Sequence, residues 1–229
     1  GCNKRITKNH GVEEAYINAL LKEWAMYRDL LRQRPRIKEL HLGGGTPTFF
    51  SPANLKILLE GIFAKAEIAE NPEFSFEGHP NNTTFAHLET LYKLGFRRIS
   101  YGVQDNDPEV QRIINRIQPI ENVRRATADA REIGFESVNY DLIYGLPKQS
   151  LESITRTIQQ VVELRPDRIA LYAYAHLPAR FKPQRRIAVA ELPSPGEKLS
   201  MLSGSLDAFQ DAGYVYVGMD HFALPTDAL

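Results

Sequence analysis

Short apolar runs alternate with longer amphipathic segments along most of the chain. Over residues 12–33, apolar side chains recur every three to four positions, which predicts an opening helix with one apolar stripe. The stripe consists of Val12, Tyr16, Ala19, Leu20, Trp24, Tyr27 and Leu31. Later runs have the length of strands and return at intervals of about 30 residues, the size of one strand–helix unit. The predicted strands are 39–42, 74–77, 98–103, 138–143 and 169–174.

Start and stop signals bound the intervening helices. Serine and aspartate side chains before a helix accept hydrogen bonds from its first backbone N–H groups, and glycine commonly ends a helix. The predicted N-caps are Ser51, Asp107, Ser150 and Ser194, and the predicted ends are Gly95, Gly134 and Gly213. The chain is therefore predicted to be a series of βα units.

This serial order fits two α/β folds, a doubly wound parallel sheet and a TIM-like barrel. Polar residues gather at the predicted carboxyl ends of the strands, which form the functional face of a barrel. We therefore favour a whole or partial TIM-like barrel. Residues 1–229 are expected to form one barrel core, with βα units to about residue 180 and a substrate-side loop, a helix and a last strand over about 181–229.

Composition narrows the possible partners. Lys and Arg number 28, as do Asp and Glu, so the formal net charge is zero and no bulk field attracts nucleic acid or an anionic membrane. No apolar run has membrane-spanning length and the first residues lack a signal-peptide core, so we expect a cytoplasmic protein. Cys2 is the only cysteine, which excludes an internal disulfide and leaves no residue that we assign as a metal ligand. Because the chain lacks an initiator methionine and ends without a closing element, we expect it to be a fragment of a longer protein.

Candidate binding residues cluster where predicted strands end. They are Gly43–Thr46, Glu77, Gly102 with Gln104, Asp141, and Ala175 with His176. Three glycines after a strand let a ligand approach the backbone and offer N–H donors, although a tight turn explains them equally well. The run matches neither the dinucleotide fingerprint nor the phosphate loop.

Individual charged residues leave structural and functional interpretations open. Glu77 precedes the end of its strand, where it could accept from a ribose diol or be a solvated strand residue. Asp141 interrupts an apolar stretch, and it fits either a barrel mouth or a buried structural role. Arg116 follows a short predicted helix, and an exposed ion pair is its default interpretation.

One dense basic cluster lies among aromatic residues. It comprises Arg180, Lys182, Arg185 and Arg186. Such a cluster could neutralise carboxylates on a substrate, and a solvated loop is equally consistent with it. The six histidines show no close metal-binding spacing.

Six segments taken together resemble the oxygen-independent coproporphyrinogen III oxidases, which are radical S-adenosylmethionine enzymes. The segments are 43–48 (GGGTPT), 101–105 (YGVQD), 115–118 (NRIQ), 141–147 (DLIYGLP), 174–178 (YAHLP) and 218–223 (GMDHFA). They follow one another in the order of that family, and the resemblance extends from Gly1 to Leu229.

The resemblance implies S-adenosylmethionine at two sites and a 4Fe–4S cluster. Gly44 and Glu77 would hold the cluster-bound S-adenosylmethionine, with Glu77 accepting from its ribose. The residues that match the second site are Gly45, Thr46, Gln104, Arg116, Asp141 and Ala175. No residue is assigned a catalytic role.

The resemblance also implies that this chain lacks several parts of the family's full-length enzymes. In that family a CxxxCxxC cluster motif directly precedes Gly-Cys-Asn, so we expect the ligand cysteines upstream of Gly1 and no ligand role for Cys2. The first barrel strand and the family's C-terminal domain are also expected to be absent. This chain alone is therefore expected to be inactive. His79 departs from the acid or amide that the family places before Pro80.

The implied reaction is oxidative decarboxylation of two propionates of coproporphyrinogen III to vinyl groups, by a 5′-deoxyadenosyl radical, in anaerobic haem biosynthesis. The implied partners are coproporphyrinogen III and an unidentified electron donor and acceptor, and we expect a monomer. A haem chaperone of the same superfamily is the alternative, but it resembles the chain less because it carries histidine where Gln118 stands. A barrel hydrolase using Glu77 and Asp141 as acid and base ranks last.

Overall fold

Seven α-helices and seven β-strands make up the computed structural model, which describes residues 7–227. The helices are α1 (Glu13–Leu30), α2 (Pro52–Phe63), α3 (Phe85–Lys93), α4 (Pro108–Ile113), α5 (Ile120–Ile133), α6 (Leu151–Leu164) and α7 (Pro195–Asp211). The strands are β1 (Arg36–Leu42), β2 (Glu67–Gly78), β3 (Phe96–Gln104), β4 (Ser137–Tyr144), β5 (Arg168–Ala173), β6 (Val215–Gly218) and β7 (His221–Ala223). Every predicted strand is present, although β2 begins seven residues earlier than expected because its charged first half lacks an apolar run.

Strand order distinguishes between the two candidate folds. The seven strands form one sheet in the order β1-β2-β3-β4-β5-β7-β6. Strand β1 pairs with β2 and β4 pairs with β5 in parallel, whereas β7 is antiparallel to β5 and to β6. A doubly wound sheet reverses its order at a switch point, but here five strands follow in sequence, as in a barrel. The TIM-like α/β prediction is therefore confirmed, and the last 49 residues contain two strands where one was expected.

The chain divides into two compact units, which are described separately. Unit 1 comprises Gly1–Ser100 and Ala128–Glu136, and unit 2 comprises Tyr101–Thr127 and Ser137–Leu229. Within residues 7–227, no helix combines the length and the hydropathy that crossing a lipid bilayer requires.

Aromatic side chains form much of the core of unit 1. Phe74 and Phe76 of β2 and Phe96 of β3 are at most 1% exposed, and the Phe74 and Phe96 rings lie 5.5 Å apart. Each buried phenylalanine contributes roughly 1.5–3 kcal/mol relative to an exposed one. The predicted cap of α2 is confirmed, because Ser51 Oγ accepts from the Asn54 backbone N–H.

Two buried tyrosines satisfy their hydroxyl groups within unit 2. Tyr101 donates to the Ala126 carbonyl at 3.0 Å, and the Tyr140 hydroxyl bonds to Thr127. A buried hydroxyl without a partner would be costly, so these bonds make the large side chains acceptable in the core. The predicted caps at Asp107, Ser150 and Ser194 are all confirmed by side-chain bonds to backbone N–H groups.

The predicted apolar stripe of α1 is wrong. Tyr16 and Tyr27 are more than half exposed, whereas Glu13 and Ile17 are the buried residues of this helix. The physical reason is that buried Glu13 is held by two hydrogen bonds. Its carboxylate accepts from the Ser51 backbone N–H at 2.9 Å and from Asn54 Nδ2 at 2.6 Å. The face that carries Glu13 is therefore turned toward α2, and the stripe inferred from hydrophobicity lies largely outside.

Candidate functional site

The glycine loop of unit 1 follows β1 and leaves its backbone accessible. Gly44 has φ +105°, a conformation that favours glycine, and its N–H donates to Glu77 Oε2 at 3.2 Å. A β-carbon added at Gly44 or Gly45 would meet no atom within 4 Å. The loop therefore presents backbone N–H groups next to open space, where a ligand can approach closely.

Glu77 lies one residue before the end of β2, as predicted. Its side chain is 44% exposed, and Oε1 lies 3.7 Å from His41 Nε2. A β-carbon at Gly43 would lie 2.8 Å from His41 Nε2 and 3.1 Å from Glu77 Oε1, so a side chain at this position would displace these two groups. Glu77 is thus an accessible carboxylate beside the glycine loop and not part of the core.

The neighbouring loop positions have mainly structural contacts. Thr46 precedes a 3-10 turn at Pro47–Phe49, and its carbonyl accepts from the Phe49 N–H at 2.8 Å. His79, the departure from the family pattern, accepts at Nδ1 from the Asn81 N–H at 3.2 Å, and its carbonyl accepts from the Thr83 N–H. The histidine therefore shapes the loop after β2 and leaves the position of Glu77 intact.

In unit 2, two polar side chains converge over Gly102. Arg116 Nη2 donates to the Gly102 carbonyl at 2.6 Å. A β-carbon at Gly102 would lie 2.8 Å from Arg116 Nη2 and 2.9 Å from Gln104 Nε2. A β-carbon would therefore displace the guanidinium and the amide, whereas glycine leaves room for both.

Arg116 is not the exposed ion pair that its sequence context suggested. Burial lowers the pKa of its guanidinium, while the negative charge of Asp141 opposes that shift, and the group stays protonated. Its Nε is buried and has no hydrogen-bond partner among residues 7–227. A buried donor without an acceptor is costly, so the geometry favours an anionic ligand at this point.

Asp141 lies within β4 and not near its end, which corrects the predicted position. The strand continues to Tyr144, because the apolar residues after Asp141 still pair with β5. Asp141 shares a half-buried face of β4 with Asn139, whose Nδ2 donates to Asp141 Oδ1 at 2.9 Å. Ala175 follows β5 by two residues, and its carbonyl accepts from Gln184 Nε2 at 3.0 Å.

A buried carboxylate beside Gln104 was not predicted. Asp105 is 0% exposed and accepts from the Asp107 N–H at 2.6 Å, from Thr157 Oγ1 at 2.8 Å and from Gln149 Nε2. Burial raises the pKa of Asp105, and these hydrogen bonds oppose the shift. The only sequence signal was its place directly after a candidate site residue.

Metal ligands are not grouped within residues 7–227. No set of three or more His, Cys, Asp or Glu side chains in that range is arranged to hold a metal ion. Cys2, expected to be a non-ligating cysteine, lies outside the described residues.

Comparison with known proteins identifies the class first. The model of the radical SAM superfamily matches residues 5–161, well over half of the chain, and the chain belongs to that superfamily. Membership implies S-adenosylmethionine and a 4Fe–4S cluster as cofactors. The solved structure of the archaeal Elp3 of Methanocaldococcus infernus has a similar fold, with a TM-score of 0.57 at 17% identity over 84% of this chain and 49% of that chain.

Within the superfamily, the chain is similar to oxygen-independent coproporphyrinogen III oxidases. It is 44% identical to that of Pseudomonas aeruginosa over 230 residues, and 42% identical to that of Escherichia coli strain K12 over 229 residues. The solved structure of the Escherichia coli enzyme gives a TM-score of 0.95 and covers 100% of this chain and 52% of its own. The predicted resemblance is confirmed, and the chain spans about half the length of these relatives.

The described residues fit S-adenosylmethionine and do not fit the cluster. Open glycine backbone beside the Glu77 carboxylate suits a ribose, and the unsatisfied Nε of Arg116 suits a carboxylate. Residues 7–227 contain no set of side chains arranged to hold a metal ion, so we assign no ligand of the 4Fe–4S cluster among them.

Proposed function

We propose that this chain functions as the barrel core of an oxygen-independent coproporphyrinogen III oxidase. The observation that most directly supports the proposal is the likeness to the Escherichia coli enzyme across the whole chain. In the proposed reaction, two propionates of coproporphyrinogen III become vinyl groups, which gives protoporphyrinogen IX. Each conversion removes one hydrogen atom, one carbon dioxide molecule and one electron from the substrate.

The cofactors supply the one-electron chemistry that removes a hydrogen atom from an unactivated carbon, and the protein supplies binding and orientation. In unit 1, Glu77 accepts hydrogen bonds from the ribose hydroxyls of S-adenosylmethionine, and Gly44 keeps the backbone out of its way. Gly45 and Thr46 add backbone and hydroxyl donors to the same loop. A hydrogen bond to a charged group contributes about 1.5–3 kcal/mol, so the carboxylate of Glu77 is important for affinity.

In unit 2, the charged residues suit the two ends of an amino acid. Arg116 donates to a carboxylate through the Nε that the protein leaves without a partner. Asp141 accepts from an ammonium group, and Gln104 and the carbonyl of Ala175 add further polar contacts. We propose that these four residues bind the second S-adenosylmethionine.

The proposal extends to the setting of the reaction. The balanced net charge supports a cytoplasmic protein that binds neither nucleic acid nor membrane. We propose that it acts as a monomer with a separate electron donor and a separate electron acceptor.

The test uses the complete protein, reconstituted with iron and sulfide without oxygen. We expect protoporphyrinogen IX to form from coproporphyrinogen III only when S-adenosylmethionine and a reductant are present. Chromatography of the oxidised porphyrins measures the product. Tight haem binding without any loss of carbon dioxide would instead identify a haem chaperone and refute the proposal.

A further inference from the structure

A positively charged loop follows β5 and is called the basic loop (residues 175–190). It contains Arg180, Lys182, Arg185 and Arg186, and the sequence has no Asp or Glu anywhere from 168 to 190. The loop therefore carries four positive charges and no negative charge when His176 is neutral.

These four cations have no compensating charge nearby. All four are exposed, and within residues 7–227 none of them forms an ion pair. The next acids along the chain are already engaged: Glu191 pairs with Lys148 at 3.9 Å, and Glu197 accepts from the Ser194 N–H at 2.7 Å. The positive potential of the loop is therefore available to an anion.

Side-chain bonds give the basic loop a defined shape. Gln184 bridges its first turn, since Oε1 accepts from the Leu177 N–H at 2.6 Å and Nε2 donates to the Ala175 carbonyl at 3.0 Å. Arg185 Nε donates to the Pro178 carbonyl at 3.0 Å. The backbone folds back on itself, so the cations are presented from one ordered segment.

A further cation reaches the base of the loop from α7. Lys198 Nζ donates to the Tyr174 carbonyl at 3.3 Å, directly before the loop begins. Its carbon chain lies within 2.8 Å of the position that a β-carbon of Gly145 would occupy, so glycine makes room for it. This half-buried ammonium adds a fifth positive charge at the edge of the basic loop.

Apolar surface accompanies these charges. The side chains of Leu177 and Phe181 are each 43% exposed within the loop. Arginine binds carboxylates through paired N–H groups, and an exposed aromatic ring suits a flat apolar body. The combination therefore matches an anion that carries several carboxylates on a flat, largely apolar framework.

We propose that the basic loop binds the propionate carboxylates of the tetrapyrrole substrate. The inference rests on the proposed function, which supplies a substrate with four propionates. Two features of the basic loop support this ligand. One is the number of cations that form no ion pair within residues 7–227, and the other is the hydrogen bond from Gln184 to Ala175, a residue proposed for the second S-adenosylmethionine site. The loop thereby connects substrate carboxylates to the region where the cofactor is bound.

The test titrates the complete protein with coproporphyrin III, the stable oxidised form of the substrate, and follows its fluorescence. The variant Lys182→Gln/Arg186→Gln removes two charges that make no bond within the loop. We expect its affinity to fall about tenfold and to lose much of its salt dependence. The control Lys22→Gln/Lys65→Gln removes the same charge from exposed sites of unit 1, and it should bind as the unaltered protein does.

A porphyrin without charges isolates the contribution of the carboxylates. The tetramethyl ester of coproporphyrin III should bind the loop variant and the unaltered protein equally. Unchanged affinity of the loop variant for the free acid, or an equal loss in the control variant, would overturn the proposal.

Kinetics separates this proposal from the proposed function. If protoporphyrinogen IX forms, the loop variant should raise the KM for coproporphyrinogen III about tenfold with kcat nearly unchanged. Turnover with an unchanged KM would refute the role of the loop and leave the enzyme assignment standing. Charge-dependent porphyrin binding without turnover would support the role of the loop and refute the enzyme assignment.

Discussion

Gln149 donates a side-chain hydrogen bond to the buried carboxylate of Asp105, and this pair joins the ends of two strands in unit 2. Gln149 Oε1 also accepts from the backbone N–H groups of Gly145 and Leu146, at 2.5 and 3.1 Å. The Asp105 N–H donates to the Val103 carbonyl at 2.9 Å around Gln104, whose φ is +68°. Such a γ-turn is strained, so the buried pair keeps Gln104 in a conformation that it would otherwise leave.

Replacing Asp105 with Asn should destabilise the protein by about 1–3 kcal/mol, because an amide donor then faces the Gln149 donor. Urea unfolding measures the loss. Asp107→Asn is the matched control, since asparagine caps a helix as well as aspartate does and should change stability by only a few tenths of a kcal/mol. Unchanged stability in Asp105→Asn, or an equal loss in the control, would contradict this account of the pair.

Gly102→Ala should weaken binding at the Arg116 site. The new methyl group would lie 2.8 Å from Arg116 Nη2 and 2.9 Å from Gln104 Nε2, so both side chains must move. Titration calorimetry with S-adenosylhomocysteine, an unreactive analogue, should show at least a tenfold loss at one site, about 1.4 kcal/mol. Gly196→Ala has open space around it and serves as the control. Equal binding by the two variants would remove Gly102 from the site.

Glu77→Gln should weaken S-adenosylmethionine binding in the complete protein and slow the formation of 5′-deoxyadenosine. The amide keeps the size of the side chain and loses the charge, so an affinity loss of about tenfold or more is expected. Stability should hardly change, because the residue is accessible. Glu73→Gln lies on the same face of β2 and should leave both measurements unaltered. Wild-type affinity in Glu77→Gln would show that the ribose assignment is wrong.

Glu13→Gln should lower stability at neutral pH by about 1–3 kcal/mol. Burial disfavours the charged form of Glu13, but hydrogen bonds from Asn54, Ser51 and His10 outweigh it and lower its pKa below 4.5. A lowered acid pKa stabilises the fold above pH 4.5, and that stability is lost as pH falls through the folded-state value. The difference from the unaltered protein should therefore shrink toward pH 3, whereas the exposed control Glu14→Gln should show no such trend.

His87 should make stability depend on pH in the weakly acidic range. Burial lowers its pKa below 6.5, against the opposing effects of its bond to the Phe50 carbonyl and the charge of Glu13. The fold therefore favours neutral imidazole, so this contribution is complete above pH 6.5 and is lost as pH falls through the lowered pKa. His87→Gln should flatten the fall in Tm between pH 7 and pH 5. An unchanged slope would place the pH dependence elsewhere.

Local signals predicted much of the fold, because they act within a few residues. Ser51, Asp107, Ser150 and Ser194 cap their helices through bonds that span two or three positions. The exposed face of α1 was mispredicted because Glu13, a charged residue, is buried by partners 38 and 41 positions away.

In the candidate site too, contacts between residues distant in sequence could not be predicted. The place of Glu77 followed from the end of its strand, whereas Asp141 was grouped with the strand ends although β4 continues to Tyr144. Asp105 and Gln149 are hydrogen-bonded although they lie 44 positions apart, and the periodicity of apolar residues cannot predict such a pair. The roles of the proposed cofactor residues stay predictions.

The strand order also has a consequence for how the sheet is completed as the chain is synthesised. Strands β2 to β5 can each join the strand made just before it, so each of these pairings closes only a short stretch of chain. The exposed edge of β5 is different, because its neighbour β7 is separated from it by the basic loop and α7. After β5 ends, a ribosome must therefore translate 50 further residues, 174–223, before β7 can cover that edge, and an unpaired edge is where nascent chains pair with the wrong partner. The hairpin of β6 and β7 covers the edge of β5 late in synthesis and then prevents such mispairing.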